Sequence, residues 1–286
     1  MKTIYNLENR GSPIIGHFLF YMIAGIEDIE NKTIINIGPD SDKRTSSDSY
    51  VINWNVDIRE INKINIEYPL LIHYTGERCQ FHNELFDIVN DKVTLIDDIN
   101  KYKNSDYRII NNYGVPTTNS FPFISPKYIH YIRKLILDRV NKPYDIKNKL
   151  YISRNKSMTC ENSPSQLHGK PRRNVINEEQ LLKVLEPLGF KKVYMEDFTM
   201  KEKIELFNSA NTIVGPFGGG FSFSLFANQK TKIIELLPTN PTQFCDQFKD
   251  ICSVLNIKFT RFSNLIKDEN DNMIINIEEL VKILNW

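Results

Sequence analysis

The sequence has few cysteines, almost no net charge and no long apolar run. Its cysteines, Cys79, Cys160, Cys245 and Cys252, show neither a CxxC pair nor zinc-site spacing, so we expect the reduced thiols of a cytosolic protein. A formal net charge of +1 gives no reason to expect nucleic acid or an anionic membrane as a partner. The first residues lack an apolar signal core, and no apolar run approaches membrane-spanning length. We therefore expect a soluble, cytoplasmic chain.

The composition that remains is that of a globular protein. Its 286 residues are 41% apolar and 25% charged, which is enough for one large domain or two of ordinary size. Extended segments alternate with helical ones between residues 50 and 99, and again from residue 150 onward. The polar, turn-rich stretch 100–120 predicts a domain boundary or an active-site loop. Repeated alternation favours an α/β fold, with a parallel sheet covered on both faces.

Capping residues predict where three of the later helices begin. Asn177 with Gln180, and Thr199 with Glu202, have the spacing of a capping box, and Asn276 precedes a last amphipathic helix.

The stretch from Thr212 to Leu237 is organised around a glycine-rich turn. A strand at 212–214 leads into Gly215, Pro216, Phe217, Gly218, Gly219 and Gly220, then into a short apolar helix and a second strand that ends at Glu235. Glycines let the backbone turn tightly and approach a ligand. A helix that opens after such a turn offers free N–H groups to a phosphate or pyrophosphate. The alternative is a turn that only packs a helix against the sheet.

Other polar residues are predicted near the same edge of that sheet. Ser153 and Arg154 follow a predicted strand, and Arg172 and Arg173 precede a helix. Because ligands of parallel sheets bind beyond the carboxyl ends of the strands, the arginines and the turn would form a pyrophosphate site. Glu235 would accept hydrogen bonds from ribose hydroxyls. The alternatives are a solvated charge run at 172–173 and a surface carboxylate at Glu235.

Two candidates lie in the first fifty residues. His17 occurs in an apolar run at residues 13–25, where a lone histidine is commonly a core residue. Asp40 and Asp42 form a DxD pattern, which suits a divalent cation bound to a nucleotide but also occurs in ordinary turns.

The span Leu150–Pro238 resembles glycosyltransferase family 61. The family pattern is a strand ending in SR, then R-x-x-x-N-E-x-x-L, G-F, LF-x-x-A, I-V-G-P-H-G-A-G-L and I-E-L-x-P. The corresponding stretches of this sequence are Tyr151–Arg154, Arg173–Leu181, Gly189–Phe190, Leu206–Ala210, Ile213–Phe221 and Ile234–Pro238. Their order and spacing agree with the pattern throughout. More loosely, the stretch around His17 resembles a histidine segment of the family.

This resemblance implies an inverting glycosyltransferase of GT-B architecture, with two Rossmann-like domains whose parallel sheets face a central cleft. Residues 1–120 would form the acceptor-side domain, residues 121–265 the nucleotide-sugar domain, and residues 266–286 a C-terminal helix packing back toward the N-terminal domain. The enzyme would transfer a hexosyl or pentosyl group from a UDP-sugar to a glycan or protein hydroxyl, in the biosynthesis of a polysaccharide or surface glycan.

The resemblance also assigns roles to individual residues. Arg154, Arg173 and the Gly215–Gly220 turn, with the hydroxyl of Ser222, would hold the donor, and Glu235 its ribose. His17 is the first candidate for the catalytic base, and Asp40 and Asp42 are weaker ones. No metal would be required.

The sequence departs from the family pattern in the turn. Phe217 stands where the family has histidine, Gly219 where it has alanine, Phe221 where it has leucine and Phe223 where it has an amide. The loss of the histidine keeps open a catalytically impaired nucleotide- or glycan-binding module. A nicotinamide-dependent oxidoreductase is a third possibility, but the turn lacks the G-x-G-x-x-G spacing.

Overall fold

The protein is described from a computed structural model. The described residues are 2–6, 70–73, 80–96, 98–102, 107–111, 126–140, 148–155, 173–238, 247–263 and 266–284. The chain divides into two compact units, Met1–Asn141 and Lys142–Trp286. The predicted boundaries after residues 120 and 265 stay predictions.

The N-terminal unit contains a four-stranded parallel sheet with the order β3-β2-β1-β4. Its strands are β1 (Lys2–Asn6), β2 (Leu70–His73), β3 (Val93–Ile96) and β4 (Tyr107–Asn111). Its described helices are α1 (Gln80–Ile88) and α2 (Pro126–Val140). Arg139 near the end of α2 donates two hydrogen bonds to the carboxylate of Asp91, at 2.7 and 2.6 Å. This pair joins α2 to the turn that follows α1.

The C-terminal unit contains a five-stranded sheet, again parallel throughout, with the order β6-β5-β7-β8-β9. Its strands are β5 (Asn148–Ile152), β6 (Phe190–Val193), β7 (Ala210–Pro216), β8 (Lys232–Leu236) and β9 (Lys258–Phe262). Its α-helices are α3 (Glu178–Leu185), α4 (Met200–Ser209), α5 (Gln247–Val254) and α6 (Ile277–Leu284). A 3-10 helix spans Gly219–Phe226, and a hairpin pairs β10 (Ile266–Lys267) with β11 (Met273–Ile274).

Both faces of the C-terminal sheet are covered. On one face, buried strand residues pack with α3, α6 and β11 in a core that includes Tyr151, Val214, Leu181, Met273 and Leu280. On the other face, the 3-10 helix packs between α4 and α5 through aromatic contacts, including Phe207–Phe223 at 5.8 Å and Phe221–Phe248 at 6.0 Å. The predicted α/β class with a parallel sheet is confirmed.

The last segment of the chain belongs in part to this core. Leu280 of α6 is fully buried in it, and Lys232 on β8 donates a hydrogen bond to the carbonyl of Ile283. The expected packing of residues 266–286 toward the N-terminal unit stays a prediction.

The predicted helix caps have different outcomes. The capping box at Thr199 and Glu202 is present, and Asn276 accepts a hydrogen bond from the backbone N–H of Glu279. The prediction of a capping box at Asn177 is wrong, although α3 does begin after this residue. The side-chain amide of Asn177 instead pairs with both backbone groups of Ile275, at 2.9 Å each, so it is not available to the helix.

No helix in the part of the chain that the structure describes is both long and apolar enough to cross a bilayer.

Candidate functional site

The strand order of the C-terminal sheet places two chain segments side by side. The chain enters the sheet at β5, adds β6 on one side, and then crosses to β7 on the other side of β5. Parallel sheets bind ligands at such a switch point, beyond the carboxyl ends of the two strands that flank it. Here those ends continue into Ser153–Asn155 and into Phe217–Gly218. The switch point therefore carries the predicted arginine and the predicted turn.

Arg154 lies directly against the turn. A Cβ atom built on Gly218 would be 2.0 Å from Nη1 of Arg154 and 3.0 Å from its Cζ. Gly218 is in extended backbone, so its restriction comes from this close approach and not from an unusual conformation. A glycine at 218 thus leaves room for the guanidinium of Arg154.

The other glycines of the turn are restricted in different ways. A Cβ atom on Gly215 would lie 2.9 Å from both Cβ and the carbonyl oxygen of Ile152, and one on Gly220 would lie 3.1 Å from Cγ of Met195. Gly219 begins the 3-10 helix. Gly215 therefore permits close packing of β7 on β5.

Arg173, in the segment before α3, contacts the same turn. Its guanidinium carbon lies 4.9 Å from the centroid of the Phe217 ring, and its Nη1 donates to the Phe217 carbonyl at 3.4 Å. A cation above an aromatic face is attracted by the ring's quadrupole. Phe217 is itself buried and packs on the Phe248 ring at 5.4 Å. The two arginines thus contact adjacent residues, Arg173 at Phe217 and Arg154 at Gly218.

The backbone of Arg173 is strained. Its φ is 62°, in the left-handed region that side chains other than glycine rarely adopt. The conformation is held by the turn of the β10–β11 hairpin: Arg173 N–H donates to the Asn270 carbonyl at 3.3 Å, and Asn174 N–H to Oδ1 of Asn272 at 2.9 Å. Met273 N–H donates to the Asn174 carbonyl at 2.8 Å. A distant hairpin, which the sequence did not predict, therefore positions this arginine.

Glu235 lies on β8 in register with Gly215, the first residue of the turn. It is fully buried on β8, and its Oε2 accepts a hydrogen bond from Nε of Arg261, its partner on β9, at 2.8 Å. The role predicted for it at the ribose stays a prediction. Ser222 is buried in the 3-10 helix, and its hydroxyl has no hydrogen-bond partner among the described residues.

Sequence reasoning missed the role of Glu178. This carboxylate is buried at the first residue of α3, and four side chains donate to it. The donors are Tyr151 at 3.0 Å and Ser153 at 2.6 Å to Oε1, and Asn155 at 2.9 Å and Lys192 at 2.6 Å to Oε2. In the sequence, Glu178 is the acidic residue of the R-x-x-x-N-E motif. It was matched to the motif, but no structural or functional role was predicted for it.

The surroundings of this network raise the pKa values of two of the donors, Tyr151 and Lys192. Burial, together with the neighbouring Glu178 carboxylate, raises the pKa of the Tyr151 phenol well above its usual range. Desolvation lowers the pKa of Lys192, but hydrogen bonds to Glu178 and Tyr194 outweigh that effect, and the net shift is upward. Tyr151 therefore stays protonated and Lys192 stays charged near neutral pH.

His17, Asp40, Asp42 and Arg172 lie outside the described residues, so their predicted roles stay predictions. In the described part of the chain, no group of three or more histidine, cysteine, aspartate or glutamate residues could hold a metal ion.

The family model Glycosyltransferase 61 matches residues 15–234, well over half of the chain. The chain belongs to glycosyltransferase family 61. The resemblance predicted from the sequence is thereby confirmed, and glycosyl transfer is the activity that family membership supports. The matched range includes Arg154, Arg173 and the turn, and it ends one residue before Glu235. No curated protein matches the chain.

Proposed function

We propose that this member of family 61 is an inverting glycosyltransferase that uses a UDP-sugar, such as UDP-GlcNAc or a UDP-pentose. The acceptor would be a hydroxyl group of a glycan or a protein, and the two units would adopt the GT-B arrangement. The observation that carries the proposal is the convergence of Arg154 and Arg173 on Phe217 and Gly218 at the switch point of the C-terminal sheet.

Two arginines close to one turn are suited to stabilising a diphosphate leaving group. As the glycosidic bond to the donor breaks, negative charge grows on the diphosphate oxygens, and fixed cations nearby stabilise it. Guanidinium groups match phosphate oxygens with two parallel donors and keep their charge at every physiological pH. The ring of Phe217 and the hairpin hold Arg173 in place before a ligand arrives, so little reorganisation is needed. In this proposal the arginines serve in place of a bound metal ion.

The acceptor side of the reaction requires a base. The acceptor oxygen bonds to the anomeric carbon, the bond from that carbon to the diphosphate breaks, and the acceptor's proton passes to the base. We propose His17 for this role, with Asp40 as the second candidate, because His17 coincides with the histidine segment of the family.

Binding of UDP tests the donor site. The thermal midpoint is measured with UDP, GDP, CMP, ADP or NAD, each with and without Mn²⁺. A ligand at 100 times its Kd stabilises the folded state by about 2.7 kcal/mol. We expect UDP to raise the midpoint without metal, and the shift to be much smaller in Arg154→Ala and Arg173→Ala. Lys183→Ala, which removes an exposed charge from α3, is the matched control.

Other outcomes would replace or overturn the proposal. A shift that requires Mn²⁺ would favour a metal site at Asp40 and Asp42. A shift with NAD alone, or with none of the ligands, would overturn the UDP-sugar proposal.

Turnover separates an enzyme from a binding module. Release of UDP from UDP-GlcNAc and from UDP-xylose is measured for the unmodified chain and for His17→Ala. We expect release by the unmodified chain and at least a hundredfold loss in the variant, since positioned acid–base groups contribute about 10²–10⁴ in rate. UDP binding without turnover would instead favour a catalytically impaired module.

A further inference from the structure

Glu178 joins the two segments that carry the arginines. Two of its donors, Ser153 and Asn155, are the residues on either side of Arg154. Glu178 itself begins α3, five residues after Arg173. We propose that Glu178 is a positioning residue, which fixes Arg154 relative to Arg173 for binding of the donor's diphosphate. This inference rests on the proposed function and deepens it.

The carboxylate of Glu178 is occupied by the protein itself. Each of its oxygens accepts two hydrogen bonds, and the residue is only 5% exposed. A carboxylate has about four acceptor positions in total. Glu178 is therefore suited to holding protein groups in place, and not to binding a sugar hydroxyl or taking a proton from the acceptor.

The hydrogen bonds of this network restrain the end of β5 on several sides. Ser153 N–H donates to the Val193 carbonyl at 2.9 Å, and Asn155 N–H donates to Oγ of Ser153 at 3.2 Å. Lys192 on β6 joins the same carboxylate and is its charged partner. The residues on both sides of Arg154 are thus anchored at the carboxyl end of β5.

The segment from Arg173 to Glu178 is also restrained by hydrogen bonds. Asn177, the residue before Glu178, pairs its amide with the backbone of Ile275, and Ile176 N–H donates to the Met273 carbonyl at 2.8 Å. The segment from Arg173 to Glu178 is therefore attached to the β10–β11 hairpin, and Glu178 attaches it to β5. A rigid connection between two cations sets the distance at which an anion can bridge them.

The experiment measures the affinity of the full chain for UDP and for inorganic pyrophosphate by calorimetry. Glu178→Gln keeps the side-chain volume but removes the charge that pairs with Lys192, and its amide nitrogen cannot accept a hydrogen bond from any of the four donors. We expect about tenfold weaker binding of both ligands. In the Arg154→Ala background, we expect the same substitution to cause no further loss, because it acts through that arginine.

Two further variants keep the inference open to refutation. Asn155→Ala removes one donor at an exposed position next to Arg154, and should weaken binding about threefold even if Glu178→Gln does not fold. Thr199→Ala, which removes the cap of α4, controls for loss of stability and should leave affinity unchanged. Unchanged affinity in both Glu178→Gln and Asn155→Ala, or equal losses with and without Arg154, would overturn the positioning role.

A second readout separates this inference from the proposed function. The Nε–H resonance of Arg154, assigned by its loss in Arg154→Ala, should shift or broaden in Glu178→Gln without any ligand. If the unmodified chain binds neither UDP nor pyrophosphate, the donor site fails and the role in diphosphate binding fails with it. If it binds them but the resonance and the affinity are unchanged in Glu178→Gln, the positioning role alone is overturned.

Discussion

Each face of the C-terminal sheet buries a glutamate, and the two are used differently. Glu178, on the α3 face, is held by three uncharged donors and one lysine at the carboxyl end of β5. Glu235 lies between Ile234 and Leu236, whose side chains are in the α3 core, so alternation directs it to the opposite face. There it forms an ion pair with Arg261 on the neighbouring strand.

The two buried carboxylates differ in what their hydrogen bonds connect. The Glu235–Arg261 pair joins β8 to β9, one strand beyond the switch between β5 and β7, with Glu235 in register with Gly215 of β7. The Glu178 network ends at the residues that flank Arg154. We therefore expect substitutions on the α5 face to change mainly stability, and those at the switch point to change mainly ligand affinity.

Glu235→Gln should have the largest effect on stability. Removing one charge of a buried pair leaves the other uncompensated, at a cost of about 3–5 kcal/mol. Because the Arg261 side chain is 21% exposed, we expect a smaller loss of about 2–3 kcal/mol. Urea unfolding measures this loss, and Glu235→Leu combined with Arg261→Met should recover part of it.

The same variant tests the predicted ribose contact. If Glu235 serves only the ion pair, Glu235→Gln should bind UDP and pyrophosphate as the unmodified chain does. Weaker binding of UDP with unchanged binding of pyrophosphate would show a role at the ribose. It would contradict the expectation that substitutions on the α5 face change mainly stability.

Gly218→Ala should separate affinity from stability at the switch point. The new Cβ would displace the flexible guanidinium of Arg154, so we expect at least tenfold weaker UDP binding with a small change in the free energy of unfolding. Gly215→Ala is the matched comparison. Its Cβ would meet the backbone of Ile152, which cannot move aside, and we expect a loss of about 1–3 kcal/mol in stability. A purely structural effect of Gly218→Ala would contradict the assignment of Arg154 to the site.

Phe217 allows the contribution of the aromatic ring to be measured. Phe217→Leu keeps an apolar side chain but removes the ring face beneath Arg173, and a cation–π contact is worth about 1 kcal/mol in a partly buried setting. We expect about fivefold weaker UDP binding in Phe217→Leu and near-normal binding in Phe217→Tyr. Equal losses in the two variants would indicate that packing, and not the cation–π contact, is responsible.

Tyr151→Phe should have the smallest pH-dependent effect, which appears only at alkaline pH, beside the loss at every pH of the hydrogen bond to Glu178. The folded protein keeps the phenolic proton, whereas the unfolded chain loses it near the ordinary pKa of 10.0. The unfolded state then binds fewer protons, so the free energy of unfolding falls as pH rises above about 10. The resulting contribution is below about 1 kcal/mol at pH 10.5. Chemical unfolding between pH 8 and 10.5 should show a shallower alkaline decline in Tyr151→Phe, and identical slopes would contradict the upward shift.

Local signals in the sequence predicted much of the C-terminal unit. The alternation of extended and helical segments predicted the α/β class, and Thr199 with Glu202 predicted the start of α4, because capping depends on residues three positions apart. The strand predicted before Ser153 and Arg154 is β5, which ends at Ile152. The strand predicted at 212–214 is longer in the structure, and β7 continues through the first two residues of the predicted turn to Pro216. The same local reasoning was wrong about Asn177, whose partner Ile275 is 98 residues away.

The sequence by itself determined the alternation of elements, the family motifs and the residue types available for an anion site, since these depend on neighbours along the chain. Tertiary structure decided which of those residues meet. The crossing from β6 to β7 places Arg154 against Gly218, a hairpin near the end of the chain holds Arg173 above Phe217, and Glu178 finds its donors on β5 and β6. Such contacts follow from strand order and side-chain packing over long separations, which local pattern does not encode.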